Sequence, residues 1–176
     1  MTENREKEAI FAFLQEHRIP YVSFSHPVTD DLEGKLKNDG DNGVFGATHC
    51  KNLVLSNRQK TRFYLLTLPF GKRFRTGPVS RQMASARLSF AENSILEGIL
   101  HTRSGMVSPL ELIFDKEKEI AFSMDRELQN AAKLCFHPSD DTCTVVIENK
   151  DFFEKFLPAA GIKVNFVNIE LVEEEQ

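Results

Sequence analysis

The sequence predicts an α+β fold, with a mixed or largely antiparallel sheet and helices packed around it. Three observations carry that expectation. The chain has 176 residues, enough for one domain with a sizeable core. Strand-like runs come as neighbouring pairs joined by polar turns, not in strict alternation with helices. Helix-period segments open the chain, punctuate it and nearly close it.

Thr2 is a candidate cap for a first helix running to about His17, with Ala9, Ile10, Phe13 and Leu14 as its apolar stripe. Glu3, Glu6 and Glu8 sit where the helix dipole favours acids, and Pro20 stops the helix. "YVSFS" alternates as a short strand. "HPVTDDLEGKLK" reads as a turn and a short helix with Thr29 as cap, and "NDGDNG" (38–43) as a loop. "NLVLSN" and "RFYLLTL" form a hairpin, followed by the basic loop "GKRFRTGP". "VSRQMASA" and "AENSILEGIL" are helical, and "LELIF" and "EIAFSM" flank "DKEK" as a second hairpin. "DRELQNAA" reads as helix, and "KLCFHP" and "TCTVVIEN" as strands around "HPSDD". "DFFEKFLPAAG" is an amphipathic helix ending at glycine, "KVNFVNIEL" a closing strand, and "VEEEQ" an acidic tail. One domain over 1–171, with 172–176 as the frayed end, is expected.

Composition is that of a soluble globular chain, 41% hydrophobic and 27% charged. No apolar run approaches the roughly 18–20 residues of a membrane span, and the N-terminus lacks a signal-peptide core. Three cysteines without a CxxC argue against a disulfide framework and favour a reducing cytoplasm. The net charge of −4 hides an asymmetry. Residues 42–91 contain no acid and nine bases: Lys51, Arg58, Lys60, Arg62, Lys72, Arg73, Arg75, Arg81 and Arg87. Such a segment attracts a polyanion, or is a basic surface whose acidic partners come from elsewhere in the chain. Phe63, Tyr64, Phe70 and Phe74, interleaved with these bases, either stack on nucleobases or fill the core.

"THCKNLVLSN" draws attention to His49 and Cys50, but neighbours on a strand point to opposite faces. A catalytic Cys50 would need a distant base such as His137. His26, His49, Cys50, His101, Cys135 and His137 fit no recognised ligand spacing, so no metal and no cofactor is expected. Lys51 and Asn52 stand out instead, because a lysine among no acids can meet a phosphate or polarise a carbonyl. "SGMVSP" is a loop whose glycine permits positive φ and whose proline sets the exit.

The ordered set "HCKNLVL" (49–55), "RFYLLTL" (62–68), "ARLSFA" (86–91), "GMVSP" (105–109), "FHPSDDTCTVVI" (136–147) and "DFFEKFL" (151–157) resembles the YbaK/ProX-type editing domains, the prolyl-tRNA synthetase-associated family. The resemblance is nearest to free-standing members that remove alanine from proline tRNA. It implies a mixed, curled sheet flanked by helices and an aminoacyl-tRNA ester hydrolase. It carries over Lys51, Asn52 and His137 as catalytic residues, and Gly105, Met106, Val107, Ser108 and Pro109 as the substrate loop. With the basic segment it makes Arg58, Lys60, Lys72, Arg73 and Arg75 candidates for tRNA contact. Mischarged tRNA(Pro) is the implied partner, with prolyl-tRNA synthetase a further one. Asp141 stands where the family has asparagine, and Glu111 where it has glycine. The rival readings are a non-catalytic RNA-binding module and a cysteine-dependent hydrolase.

Overall fold

The computed structural model describes residues 4–85 and 87–170. Its strands are β1 (Val22–Ser25), β2 (Ala47–Ser56), β3 (Phe63–Pro69), β4 (Ser89–Phe90), β5 (Ile120–Asp125), β6 (Lys133–Phe136), β7 (Cys143–Glu148) and β8 (Val164–Val167). The helices are α1 (Arg5–Glu16), α2 (Leu32–Asp41), α3 (Thr76–Gln82), α4 (Asn93–Ile95), α5 (Asn149–Asp151) and α6 (Leu157–Ala160). A π turn, Leu96–Leu100, extends α4, and another, Phe152–Phe156, joins α5 to α6.

The eight strands form one sheet in the order β1-β7-β6-β2-β3-β5-β8, with β4 added on β2. Pairings of both senses occur, as expected: β2/β3 is antiparallel, whereas β2/β6, β3/β5 and β5/β8 are parallel. β2 connects the two halves. Ala47, Thr48 and His49 pair with β6, whereas Cys50 to Ser56 pair with β3 and its end pairs with β4. The sheet curls about this shared strand.

Alternation along the strands divides the apolar residues between two faces. Val54, Leu65, Phe122, Met124, Phe136 and Val145 face the main core, closed by Ile10 and Leu14 of α1 and by Phe152 and Phe156. Leu55, Tyr64, Leu66 and Leu68 face the other way, onto Val79 of α3 and Leu88. α2 covers the same side of the sheet's other half, near Cys135 and Val146.

Several local expectations are corrected. The expected Thr2 cap lies outside the described residues; Asn4 caps α1, its side chain accepting from the Lys7 N–H at 2.9 Å. Asp31, not Thr29, caps α2, accepting from the Gly34 N–H at 2.7 Å. α2 also runs through most of the expected 38–43 loop, because Asp39 is anchored in the interior by His49. Tertiary anchoring here overrides the poor helix propensity of Asn, Asp and Gly. "LELIF" is not a strand: Pro109–Phe114 is a 3-10 helix, capped by Ser108. "DRELQNAA" contributes only a 3-10 turn, Arg126–Asn130, capped by the Asp125 carboxylate. The "VEEEQ" tail lies outside the described residues. No helix among the described residues is long and apolar enough to cross a membrane.

Leu65 on β3 is fully buried between β2 and β5. Leu65→Ala should cost about 2–5 kcal/mol, read as a lower urea midpoint with an unchanged slope.

Candidate active site

Two loops that the sequence singled out are bolted together by one carboxylate. Glu111, in the first turn of the 3-10 helix, is fully buried. Its Oε2 accepts from the Ser108 N–H at 2.6 Å and the Ser108 hydroxyl at 2.7 Å. Its Oε1 accepts from the Ser139 N–H at 2.8 Å and the Ser139 hydroxyl at 2.9 Å. Burial pushes the carboxyl up to about 7, against the four donors, which favour the ionised form. The 105–109 loop and the 137–141 turn therefore share one rigid support. α1 holds the turn from its other side: Asn4 donates to the Ser139 carbonyl at 2.8 Å, and Lys7 pairs with Asp140 at 2.6 Å.

Above this support lies a cavity of about 420 Å³. Gly105 and Met106 line it from one loop, His137 and Asp141 from the other, Asp30 and Lys35 from α2 and its lead-in, and Phe70 from the end of the β2–β3 hairpin. The His137 Nδ1–H donates to the Cys143 carbonyl at 2.8 Å, which leaves Nε2 with its lone pair toward the cavity, 3.4 Å from the Lys35 amine. Burial and the nearby Lys35 lower His137 to about 4, so the ring is neutral at physiological pH. Lys35 is itself buried, which lowers its proton affinity, and its amine lies 5.1 Å from the centre of the Phe70 ring.

Gly105 adopts φ +88°, a conformation that disfavours any side chain, and a Cβ there would project into open space. The Met106 N–H is taken by the Arg103 carbonyl, and that of Ser108 by Glu111. Among the described residues, the N–H groups of Gly105 and Val107 have no protein acceptor. Gly105 lines the cavity, so its N–H is the loop's open donor there, whereas Val107 is buried in the main core. Ser108 and Pro109 are buried and act as supports.

The structure brings Gly105, Met106 and His137 together, but Lys51 and Asn52 do not line this cavity. The Lys51 amine donates to the Lys72 carbonyl at 2.5 Å, and burial and Arg73 lower its proton affinity. Asn52 lies on the opposite face of β2, accepting from the Thr67 hydroxyl at 2.6 Å. Sequence reasoning missed Lys35. The available signal was the four-residue spacing of Lys35 and Asp39, which puts both on one helix face.

His49 and Cys50 point to opposite faces, as expected. His49 pairs with Asp39 at 2.7 Å, and Cys50 packs against the main core, where burial pushes its thiol up. Asp39, His49 and Cys135 place three possible metal-ligand atoms within 4.8 Å of one another. The 2.7 Å contact is that of a hydrogen bond, and the Lys35 charge acts on both His49 and Cys135. These features make the trio a buried polar support for α2.

The family profile described as "Aminoacyl-tRNA editing domain" matches residues 41–155. The chain belongs to the aminoacyl-tRNA editing domain family. With membership comes the class of activity, hydrolysis of an aminoacyl-tRNA ester. "Prolyl-tRNA editing protein ProX" of Acetoanaerobium sticklandii is 28% identical over 155 residues, covering 88% of this chain and 92% of that protein. "Prolyl-tRNA synthetase associated domain-containing protein 1" of Danio rerio is 31% identical over 142 residues, covering 79% of this chain and 74% of that one. A solved structure described as a candidate trans-editing enzyme for prolyl tRNA synthetase superposes with a TM-score of 0.69 at 13% identity, over 96% of this chain and 100% of that one.

Of the cations in the basic segment, Lys60 pairs with Glu92, and Lys72 with Asp125 and Glu127. Their acidic partners come from outside the acid-free segment.

Glu111→Gln puts an amide N–H₂ where two donors point. It should cost about 1–3 kcal/mol through an unpaired buried donor, read as a lower denaturant midpoint. The pH dependence has a defined sign. Folded Glu111 holds its proton up to about 7, against an ordinary value of 4.5, so its contribution to stability falls as pH rises across that window. Glu111→Gln should flatten that part of the stability profile.

Proposed function

We propose that this editing domain hydrolyses the ester of mischarged tRNA(Pro), with alanine as the amino acid released. The observation that carries the reading is a neutral His137 in contact with Lys35 on the wall of a cavity that the positive-φ Gly105 also lines. The names of the bacterial and fish relatives support proline tRNA as the substrate class and a link to prolyl-tRNA synthetase. A cytoplasmic site of action is part of this reading.

The ester carbonyl lies over the loop, its oxygen toward the Gly105 N–H and the Lys35 amine. A water held by His137 Nε2 adds to the carbonyl carbon, and the electron pair moves onto the carbonyl oxygen, where these donors stabilise it. Collapse of this intermediate expels the terminal ribose oxygen, which takes up a proton. The products are free amino acid and tRNA. A base with a pKa of about 4 is weak, so His137 orients the water and the substrate's neighbouring ribose hydroxyl assists proton transfer. Asp30 and Asp141 supply the negative charge that an α-ammonium group requires. Lys51, whose amine reaches the Lys72 carbonyl two residues beyond the cavity-lining Phe70, meets the terminal phosphate, and Asn52 with Thr67 stiffens the strand beneath it. The biological logic is that a synthetase pocket built for proline gains only about 1–3 kcal/mol over a substrate lacking methylenes, so a second site must remove the error.

The cysteine-dependent alternative is disfavoured, because burial holds both Cys50 and Cys135 as thiols. The decisive measurement is amino-acid release from alanyl, cysteinyl and seryl esters of proline tRNA, with and without a thiol-alkylating reagent. Wild type should release alanine fastest and keep its activity after alkylation. His137→Ala and Lys35→Met should each lower kcat about 10²-fold or more. No turnover of any ester by wild type would sink the proposal, and full activity in Lys35→Met would return the electrophilic role to Lys51.

A further inference from the structure

A second polar cleft, of about 650 Å³, lies between α3, the residues leading into β4, and the β2–β3 turn. Three arginines from three separate elements converge on it: Arg58 from the turn, Arg81 from the last turn of α3, and Arg87 before β4. The hydroxyl residues Thr76 and Ser89 also line it, and no acidic residue does. Among the described residues, none of the three arginines has a carboxylate within ion-pair distance, whereas Lys60 and Lys72 nearby are each paired. Three like charges are held in one concavity with no neutralising partner among the described residues. Their mutual repulsion is relieved only by counterions or by an anionic ligand.

The cleft is aligned with the proposed active site. Lys51, Leu53 and Leu55 share one face of β2, and Leu55 packs with Val79 and Leu88, which flank the cleft. From Lys51 to Ser56, at the cleft end of the strand, the backbone advances about 17 Å at roughly 3.3 Å per residue. The ligand that matches the charge is a ribose-phosphate backbone continuous with the end held in the active site.

We infer that the Arg58–Arg81–Arg87 cleft is a phosphate-backbone subsite that docks the acceptor stem of the tRNA whose 3′ end enters the His137 cavity. The inference rests on the proposed function for the identity of its ligand. The arginine fork suits phosphate oxygens, and contacts of this kind fix register without reading bases.

Equilibrium binding of uncharged proline tRNA to the full chain, titrated with salt, tests this. Binding is read without turnover, so the outcome is independent of whether the ester is hydrolysed. The triple variant Arg58→Ala/Arg81→Ala/Arg87→Ala should weaken binding at least about tenfold, and reduce the slope of log K against log salt by about 2 to 3. Each single variant should reduce the slope by roughly 0.9. Lys150→Ala, an exposed cation on α5, should leave it unchanged. Replacing all three with lysine should restore most of the slope, since the charge is kept. A single-stranded RNA of the 3′ end alone should show no difference between wild type and the triple variant. Wild-type affinity and slope in a folded triple variant would overturn the inference, as would an equal loss for the single-stranded RNA.

Discussion

The site depends on one buried carboxylate. Glu111 is surrounded by protein, and both its oxygens are satisfied there because Ser108 and Ser139 each offer it a backbone N–H and a hydroxyl. These donors belong to two loops nearly thirty residues apart, so satisfying Glu111 fixes their relative position. The loop carrying the open N–H of Gly105 and the turn carrying His137 then behave as one body. Lys7 and Asn4 of α1 brace the same turn from outside, and Asp140, although partly desolvated, is held at about 2 by Lys7 and Thr142. A polar network of this kind tolerates little change, because removing one member leaves its neighbours buried without partners.

The curl of the sheet about β2 does the rest. One strand carries His49, which anchors α2 through Asp39, and Lys51, which meets the loop at the end of β3. The parallel pairing of β2 with β6 brings the end of β6, and with it His137, close to α2. Lys35 therefore reaches His137 although the two are a hundred residues apart. Burial then tunes both: it keeps the imidazole neutral and its Nε2 available as an acceptor.

The charge asymmetry resolves into two populations. Lys60 and Lys72 pair with Glu92, Asp125 and Glu127. Arg58, Arg81 and Arg87 gather around a cleft, with no carboxylate partner among the described residues. Sequence alone could not sort them, because the partners of Lys72 lie more than fifty residues away.

The sequence by itself determined the fold class, most of the strands and the location of the two loops around Gly105 and His137. Those features are written in local patterns: alternation, turn residues, and a glycine and a proline at set positions. It also excluded mutual contact of His49 and Cys50, since adjacent strand residues diverge. Only the tertiary structure decided that Lys35, rather than Lys51, faces His137, and that "LELIF" winds into a 3-10 turn. The Ser108–Glu111 capping box outweighs strand propensity, and the other two donors to Glu111 come from Ser139 in a distant turn that no local pattern announces. The same holds for the extension of α2, where Asp39 is retained by His49 across the sheet. Polar groups in the interior are placed by partners remote in sequence, and it is those partners that the chain's local composition does not reveal.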